Sequence, residues 1–239
     1  MILPAIDLID NKCVRLTQGD YNKVDFFKKS PLEIAKEYED AGFEWLHLVD
    51  LEGAKNGEPV NLDTFLEIRK KTNLKIQYGG GIRSEDSIEK LLSLGVERVL
   101  ISTLSIREKE LMIKIIKKYG QQSFAFCWDG KETNDGFEVF DQGWLEKSHL
   151  SFNQLYDFYK DCLPGVIFVT DINRDGMMTG ANVDLYKKLQ SNYPQISLGA
   201  SGGVSTIDEV ESLRNYCKSV IVGKALLNGQ IDLGEASKC

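Results

Sequence analysis

Two aspartates stand at the ends of two apolar runs, Asp7 in MILPAID and Asp129 in FAFCWD. A carboxylate at the end of each of two buried strands can divide the work of general base and general acid. This requires that the two face one site and that their surroundings push their pKa values apart. Either residue alone would serve equally well as a loop anchor. What favours chemistry is that both fall at matching places in a repeat, 122 positions apart.

The same offset carries Gly80 onto Gly202, Gly81 onto Gly203, Asp86 onto Asp208 and Glu89 onto Glu211. These glycines lie in IQYGGGIRSEDSIEKLLSLGVERVLISTLS and its echo SLGASGGVSTIDEVESLRNYCKSVIVGKA. Both stretches read as strand, glycine turn, helix and strand. Such a turn brings backbone N–H groups close to a ligand, and phosphate is the natural guest. One grip would use Gly80, Gly81, Ser102 and Thr103. The other would use Gly202, Gly203, Gly223 and Lys224. A substrate that touches both is elongated and carries a phosphate at each end. Thr170, at the end of VIFVTD, is placed to hydrogen-bond a reacting oxygen or simply its own backbone. Trp144 lies on a polar loop and could stack on a planar ring or pack locally. Arg15 and Arg83 are candidates for anion contacts. His47 falls inside a strand and reads as a satisfied core histidine.

These residues need elements to hold them. In residues 2–7 the pleat puts Leu3, Ala5 and Asp7 on one face. In the echo it puts Ala125, Cys127 and Asp129 on one face and Phe124, Phe126 and Trp128 on the other. Small residues beneath a carboxylate suit the interior of a barrel, and bulky ones suit contact with outer helices. Residues 12–29 read as a long loop with CVRLTQG as a short hairpin strand. Ser30-Pro31 opens a helix that ends at Gly42. WLHLVDL is the second strand, EGAKNGEPV its loop, and Asn61 a cap for the helix LDTFLEIRKKT. A helix follows from Ser105 to Tyr119. GKETNDGFEVFDQGWLEKS reads as a long polar loop, LSFNQLYDFYKDCL as a helix and GVIFVTDI as strand six. The strand-six loop holds Asp175, Gly176, Thr179 and Gly180. VDLEGAKNG resembles TDINRDGMMTG, with Asp50 over Asp171.

Eight strands alternating with eight helices imply a parallel sheet, and closure into a barrel removes its edges. The expected fold is α/β, a (β/α)8 barrel. It forms one domain over 1–239, with half-barrels of about 1–120 and 121–239. The length of 239 residues suits this, and 42% apolar with 27% charged residues argues against disorder. A net charge of −7 without a basic block argues against nucleic acid or an anionic membrane as partner. Five cysteines without a CxxC suggest reduced thiols in the cytoplasm, and two histidines leave little for a metal centre or a Ser-His-Asp triad. No run is long enough to span a bilayer.

MILPAIDLIDNKCVRLTQGDY, HLVDLEGAKNGEPVN, YGGGIRS, DQGW, VTDINRDGMMTG, ASGGVST and VIVGKAL together resemble the phosphoribosylformimino-aminoimidazole carboxamide ribotide isomerases of histidine biosynthesis. The resemblance runs along nearly the whole chain. It implies a (β/α)8 barrel, a bisphosphate substrate and an Amadori rearrangement of aminoaldose to aminoketose, with no metal or organic cofactor. Apart from the resemblance, the chain is expected to act as a monomer. Asp7 would remove the proton from C2 of the opened sugar, Asp129 would protonate the furanose ring oxygen, and Thr170 would assist beside the sugar. Arg15, Gly19, Arg83, Trp144, Asp175 and Gly176 match ligand-contacting or site-shaping positions. Ser102 departs from the glycine usual before Thr103. The sister cyclase, which has lysine where Arg15 stands, and an isomerase acting also on phosphoribosylanthranilate are the alternatives.

Overall fold

Runs of buried branched and aromatic residues form the walls of the molecule. The computed structural model describes residues 1–17, 20–134, 136–142, 144 and 146–239. Eight parallel strands follow in chain order: Ile2–Ile9, Trp45–Asp50, Lys75–Gly79, Arg98–Ile101, Phe124–Thr133, Val166–Asp171, Leu198–Ser201 and Ser219–Val222. Ile2 lies beside Val220, so the eighth strand returns to the first and the sheet closes as a (β/α)8 barrel.

Helices Pro31–Ala41, Leu62–Lys71, Glu85–Ser93, Lys109–Tyr119, Phe152–Tyr159, Val183–Asn192 and Ile207–Arg214 cross back between strands. After the last strand there are only two short pieces, Lys224–Leu227 and Leu233–Ala236. The pleat sorts side chains as expected. Leu3, Ala5, Leu100, Ala125, Val166, Phe168 and Ile221 form a small inner core. Phe124, Phe126 and Trp128 join the larger core between sheet and helices. There the Trp128 indole meets Phe152 edge-on at 5.1 Å and donates to Ser105 Oγ at 3.1 Å.

Helix Ile207–Arg214 starts at a reciprocal cap: the Thr206 hydroxyl accepts from Glu209 N, and the Glu209 carboxylate accepts from the Thr206 backbone. Thr206→Ala leaves a first-turn N–H without its partner. The expected loss is about 1 kcal/mol, seen as a fall of roughly 2–4 °C in thermal melting.

Several expectations need correction. Residues 12–29 hold a two-stranded antiparallel hairpin, Lys12–Thr17 and Asp20–Phe26. It folds back from strand one through Asp10 and Asn11, with φ of 53° and 55°, as a two-residue turn requires. The stretch after Asp129 is not a loop. Strand five runs on to Thr133 and pairs with Gly136–Asp141, which pairs with Glu146–Ser151. Phe137 and Val139 are buried on either side of the less buried Glu138, a period of two that fits a strand.

EGAKNGEPV begins inside a short helix, Leu51–Asn56, because Asp50 caps it. Asn61 precedes its helix without capping it, since its side chain is spent on Asp50 and on the Asn11 N–H. The helix drawn from Ser105 starts at Thr103 and breaks at Glu108, whose φ and ψ of −119° and 53° are not helical. Leu150 belongs to a strand, and the next helix starts at Phe152 with Ser151 as its cap.

Candidate active site

The two glycine turns share a backbone shape. Gly80 and Gly202 have φ of 113° and 94°, and Gly81 and Gly203 have 76° and 81°. A side chain at Gly80 would run into the Asp50 carbonyl, and one at Gly203 would meet the Gly180 carbonyl at 2.7 Å. Only glycine allows these turns against the neighbouring loops. Ser102 and Gly223 also match, with φ and ψ of −109°, −90° and −106°, −90°. The serine therefore leaves the shape of the first turn unchanged. Each residue precedes a short helix, Thr103–Arg107 or Lys224–Leu227.

Both turns open into one cavity of about 270 Å³ at the carboxyl-terminal mouth. Its lining includes Asp7, Arg15, Gly80, Gly81, Arg83, Ser102, Thr103, Asp129, Trp144, Thr170, Asp175, Gly176, Gly202, Gly203, Gly223 and Lys224. Gly19 lies outside the described residues. The lining also takes in His47, Tyr21 and Ser201, which sequence reasoning had not placed there. For His47 a signal existed: it pairs in register with Ala5 and so faces the same way.

Arg15 joins two carboxylates, donating to Asp7 Oδ2 and to Asp175 Oδ1, each at 2.9 Å. The three side chains are only 13–14% exposed. Burial raises the Asp7 pKa, the Arg15 charge pulls it back and Asp175 pushes it up again. Asp129 stands next to Thr170 in register and accepts from the Trp144 indole N–H at 2.9 Å. Burial also raises its pKa, while the Thr170 hydroxyl and the indole oppose the rise. The two carboxyls thus have unlike companions: a cation beside Asp7 and, among the described residues, neutral donors beside Asp129. That difference favours charge on Asp7 and a proton on Asp129.

Trp144 adopts φ of 72°, a conformation rare for a side chain of its size, while its indole holds Asp129. Lys224 donates to the Gly176 carbonyl at 3.3 Å and ties strand eight to the strand-six loop. Arg83 is exposed on the rim and reaches the Ala54 carbonyl at 3.4 Å. Removing the indole donor weakens the charged form of Asp129 and lifts its pKa. Trp144→Phe should therefore shift the titration of the Asp129 carboxyl to higher pH, read from NMR.

Asp50 and Asp171 are loop anchors at equivalent strand ends. Asp50 accepts from the N–H groups of Gly53, Val60 and Asn61, from the Asn61 amide and from the Tyr78 hydroxyl. Asp171 accepts from Asn173 N and from the Asn182 amide. Among the described residues no cluster of His, Cys, Asp or Glu converges as a metal site, and no helix is long and apolar enough to cross a membrane.

Residues 1–232 match the family described as "Histidine biosynthesis protein". Similar full-length proteins come from Campylobacter jejuni subsp. jejuni, 41% identical over 100% of this chain and 97% of the relative, and from Francisella philomiragia, 39% identical over 100% and 99%. A third, from a Shewanella species, is 42% identical over 100% and 98%. All three carry the name 1-(5-phosphoribosyl)-5-((5-phosphoribosylamino)methylideneamino) imidazole-4-carboxamide isomerase. With matches of this length and identity, the chain belongs to the histidine biosynthesis protein family.

Proposed function

We propose that this protein is the aldose–ketose isomerase of histidine biosynthesis that its relatives are named for, acting on a bisphosphorylated aminoaldose. The observation that carries this reading is the joint placement of Asp7 and Asp129 in one cavity flanked by two glycine turns of the same shape. A chain with net charge −7 has no basic field to attract an anion, so local backbone donors must hold each phosphate. Gly80, Gly81, Ser102 and Thr103 hold one end. Gly202, Gly203, Gly223 and Lys224 hold the other.

The central sugar then lies between the two carboxyls. Asp129, protonated, gives its proton to the furanose ring oxygen as the C1–O bond breaks and the ring opens to an iminium. Asp7, whose charged form Arg15 favours against the effect of burial, takes the proton from C2. The C–H electron pair moves to C1–C2 and neutralises the nitrogen, giving an enolamine that becomes the aminoketose. Thr170 steadies Asp129 and the reacting oxygen. Arg15 and Asp175 fix the base, and Trp144 fixes the acid while covering the site. The unit that does this is one domain of two half-barrels, about 1–120 and 121–239.

The test is direct: mix the folded protein with the bisphosphorylated aminoaldose and follow appearance of the ketose. No conversion by well-folded protein ends the proposal.

A further inference from the structure

Four inward residues form one register row around the barrel wall. Ala5 pairs with His47, His47 with Gln77 and Gln77 with Arg98. His47 lines the cavity and is 8% exposed, while Gln77 is fully buried. Asp7 lies two residues beyond Ala5 on the same face of strand one, so the His47 ring is on the floor beneath the base. Gln77 Nε2 is 2.6 Å from His47 Nδ1, and Arg98 donates to Gln77 Oε1 at 3.2 Å. The Arg98 guanidinium rests over the Trp45 ring, 4.5 Å from its centroid.

This row leaves no freedom in where the protons go. A guanidinium only donates. The Gln77 atom that faces Arg98 must therefore be the carbonyl oxygen, and the amide NH2 must face His47. Nδ1 then accepts, so the proton of the neutral ring is on Nε2. Because Nδ1 is used in the buried layer, Nε2 is the polar atom left for the cavity.

We propose that Arg98 and Gln77 are positioning residues that lock His47 as the Nε2–H tautomer, and that His47 donates one hydrogen bond to an oxygen of the opened sugar between Asp7 and Asp129. The sugar in this statement rests on the isomerase reading; the tautomer does not. Burial pushes the His47 pKa down to about 3, so the ring stays neutral at working pH. A neutral donor holds an oxygen without competing with Arg15 for Asp7.

Gln77→Glu tests this without changing shape. The new carboxylate still pairs with Arg98, but it offers Nδ1 only an acceptor, so at a pH where the spectra show a neutral ring its one proton must sit on Nδ1. The chain has two histidines, and 15N-histidine spectra with His149→Gln for assignment read the tautomer directly. The expected result is Nε2–H in the wild type and Nδ1–H in Gln77→Glu. Turnover of that variant should be at least ~10-fold lower, with little change in KM because the phosphate turns are untouched. A wild-type ring protonated on Nδ1 overturns the proposal. So does a relocated proton with turnover within about twofold of wild type, far below the loss expected for a missing donor.

If Gln77→Glu does not fold, His47→Leu and His47→Gln decide. Leu should lower turnover at least ~10-fold, and Gln, which supplies an N–H, should restore part of it. Wild-type activity at the floor of His47→Leu, with the tautomer as expected, overturns the contact alone. Absence of turnover in the wild type overturns the isomerase reading and leaves the tautomer to stand or fall on the spectra.

Discussion

Asp7→Asn and Asp129→Asn are each expected to lower turnover by at least ~10²-fold while the bisphosphate still binds. The reasoning is that neither carboxylate belongs to the glycine turns proposed to hold the phosphates, so their loss removes proton transfer and leaves capture. Single-turnover kinetics beside calorimetric binding separate the two. Equal losses of binding and turnover would point to a holding role for the carboxylates and against acid–base work.

The same pair should part company in stability. Burial raises the pKa of Asp129, so the folded state holds that proton more tightly than the unfolded chain. The stability this contributes is complete below the unfolded pKa and is lost as pH rises through the folded one. Above the folded pKa the ionised form is a burden, and there Asp129→Asn should melt at the same temperature as wild type or higher. Burial raises the Asp7 pKa too, but Asp7→Asn should gain less, because it leaves the enclosed Arg15 with Asp175 as its remaining carboxylate partner among the described residues. Melting curves taken from pH 5 to 8 check the sign.

The second large effect is expected outside the acid–base pair. Asp50→Ala should cost about 3–5 kcal/mol and lower the melting temperature by roughly 10 °C. The side chain is fully buried and gathers five donors, from Gly53, Val60, Asn61 twice and Tyr78. Among the described residues, the Asn61 amide alone of these donors also reaches another acceptor, Glu52 Oε2 at 3.0 Å. The Asp50 carbonyl also abuts Gly80, so whatever folded protein remains should show a raised KM from a loosened first turn. A melting shift below 2 °C would mean that water replaces the carboxylate and that the anchor is dispensable.

Much of the site was legible because the chain states it twice. Asp7 and Asp129 lie on strands whose inward residues just beneath them, Ala5 and Cys127, are small, and Gly80 and Gly202 follow strands at the same offset, so repeat and pleat together put them on one rim. The companions of each aspartate were not legible. Arg15 and Trp144 arrive on a hairpin and on a segment after strand five, and no local pattern says which carboxylate either will meet. That later segment was misread because Lys131, Glu132, Thr133 and Asn134 mask the alternation of Phe137 and Val139. The helix at Leu51–Asn56 was missed because it is six residues long and closed by Gly57. Its start depends on Asp50, whose other partners lie ten, eleven and twenty-eight positions away. His47 was read as a satisfied core residue. It is satisfied at Nδ1, yet it also lines the cavity.

The near identity of the turns at Gly80–Gly81 and Gly202–Gly203 has a consequence for docking direction. The two backbone turns alone do not tell head from tail, but Thr103 stands beside one and the cation Lys224 beside the other. Reading direction then falls to what differs between the halves: Arg15 with Asp175 beside one acid, the Trp144 indole beside the other.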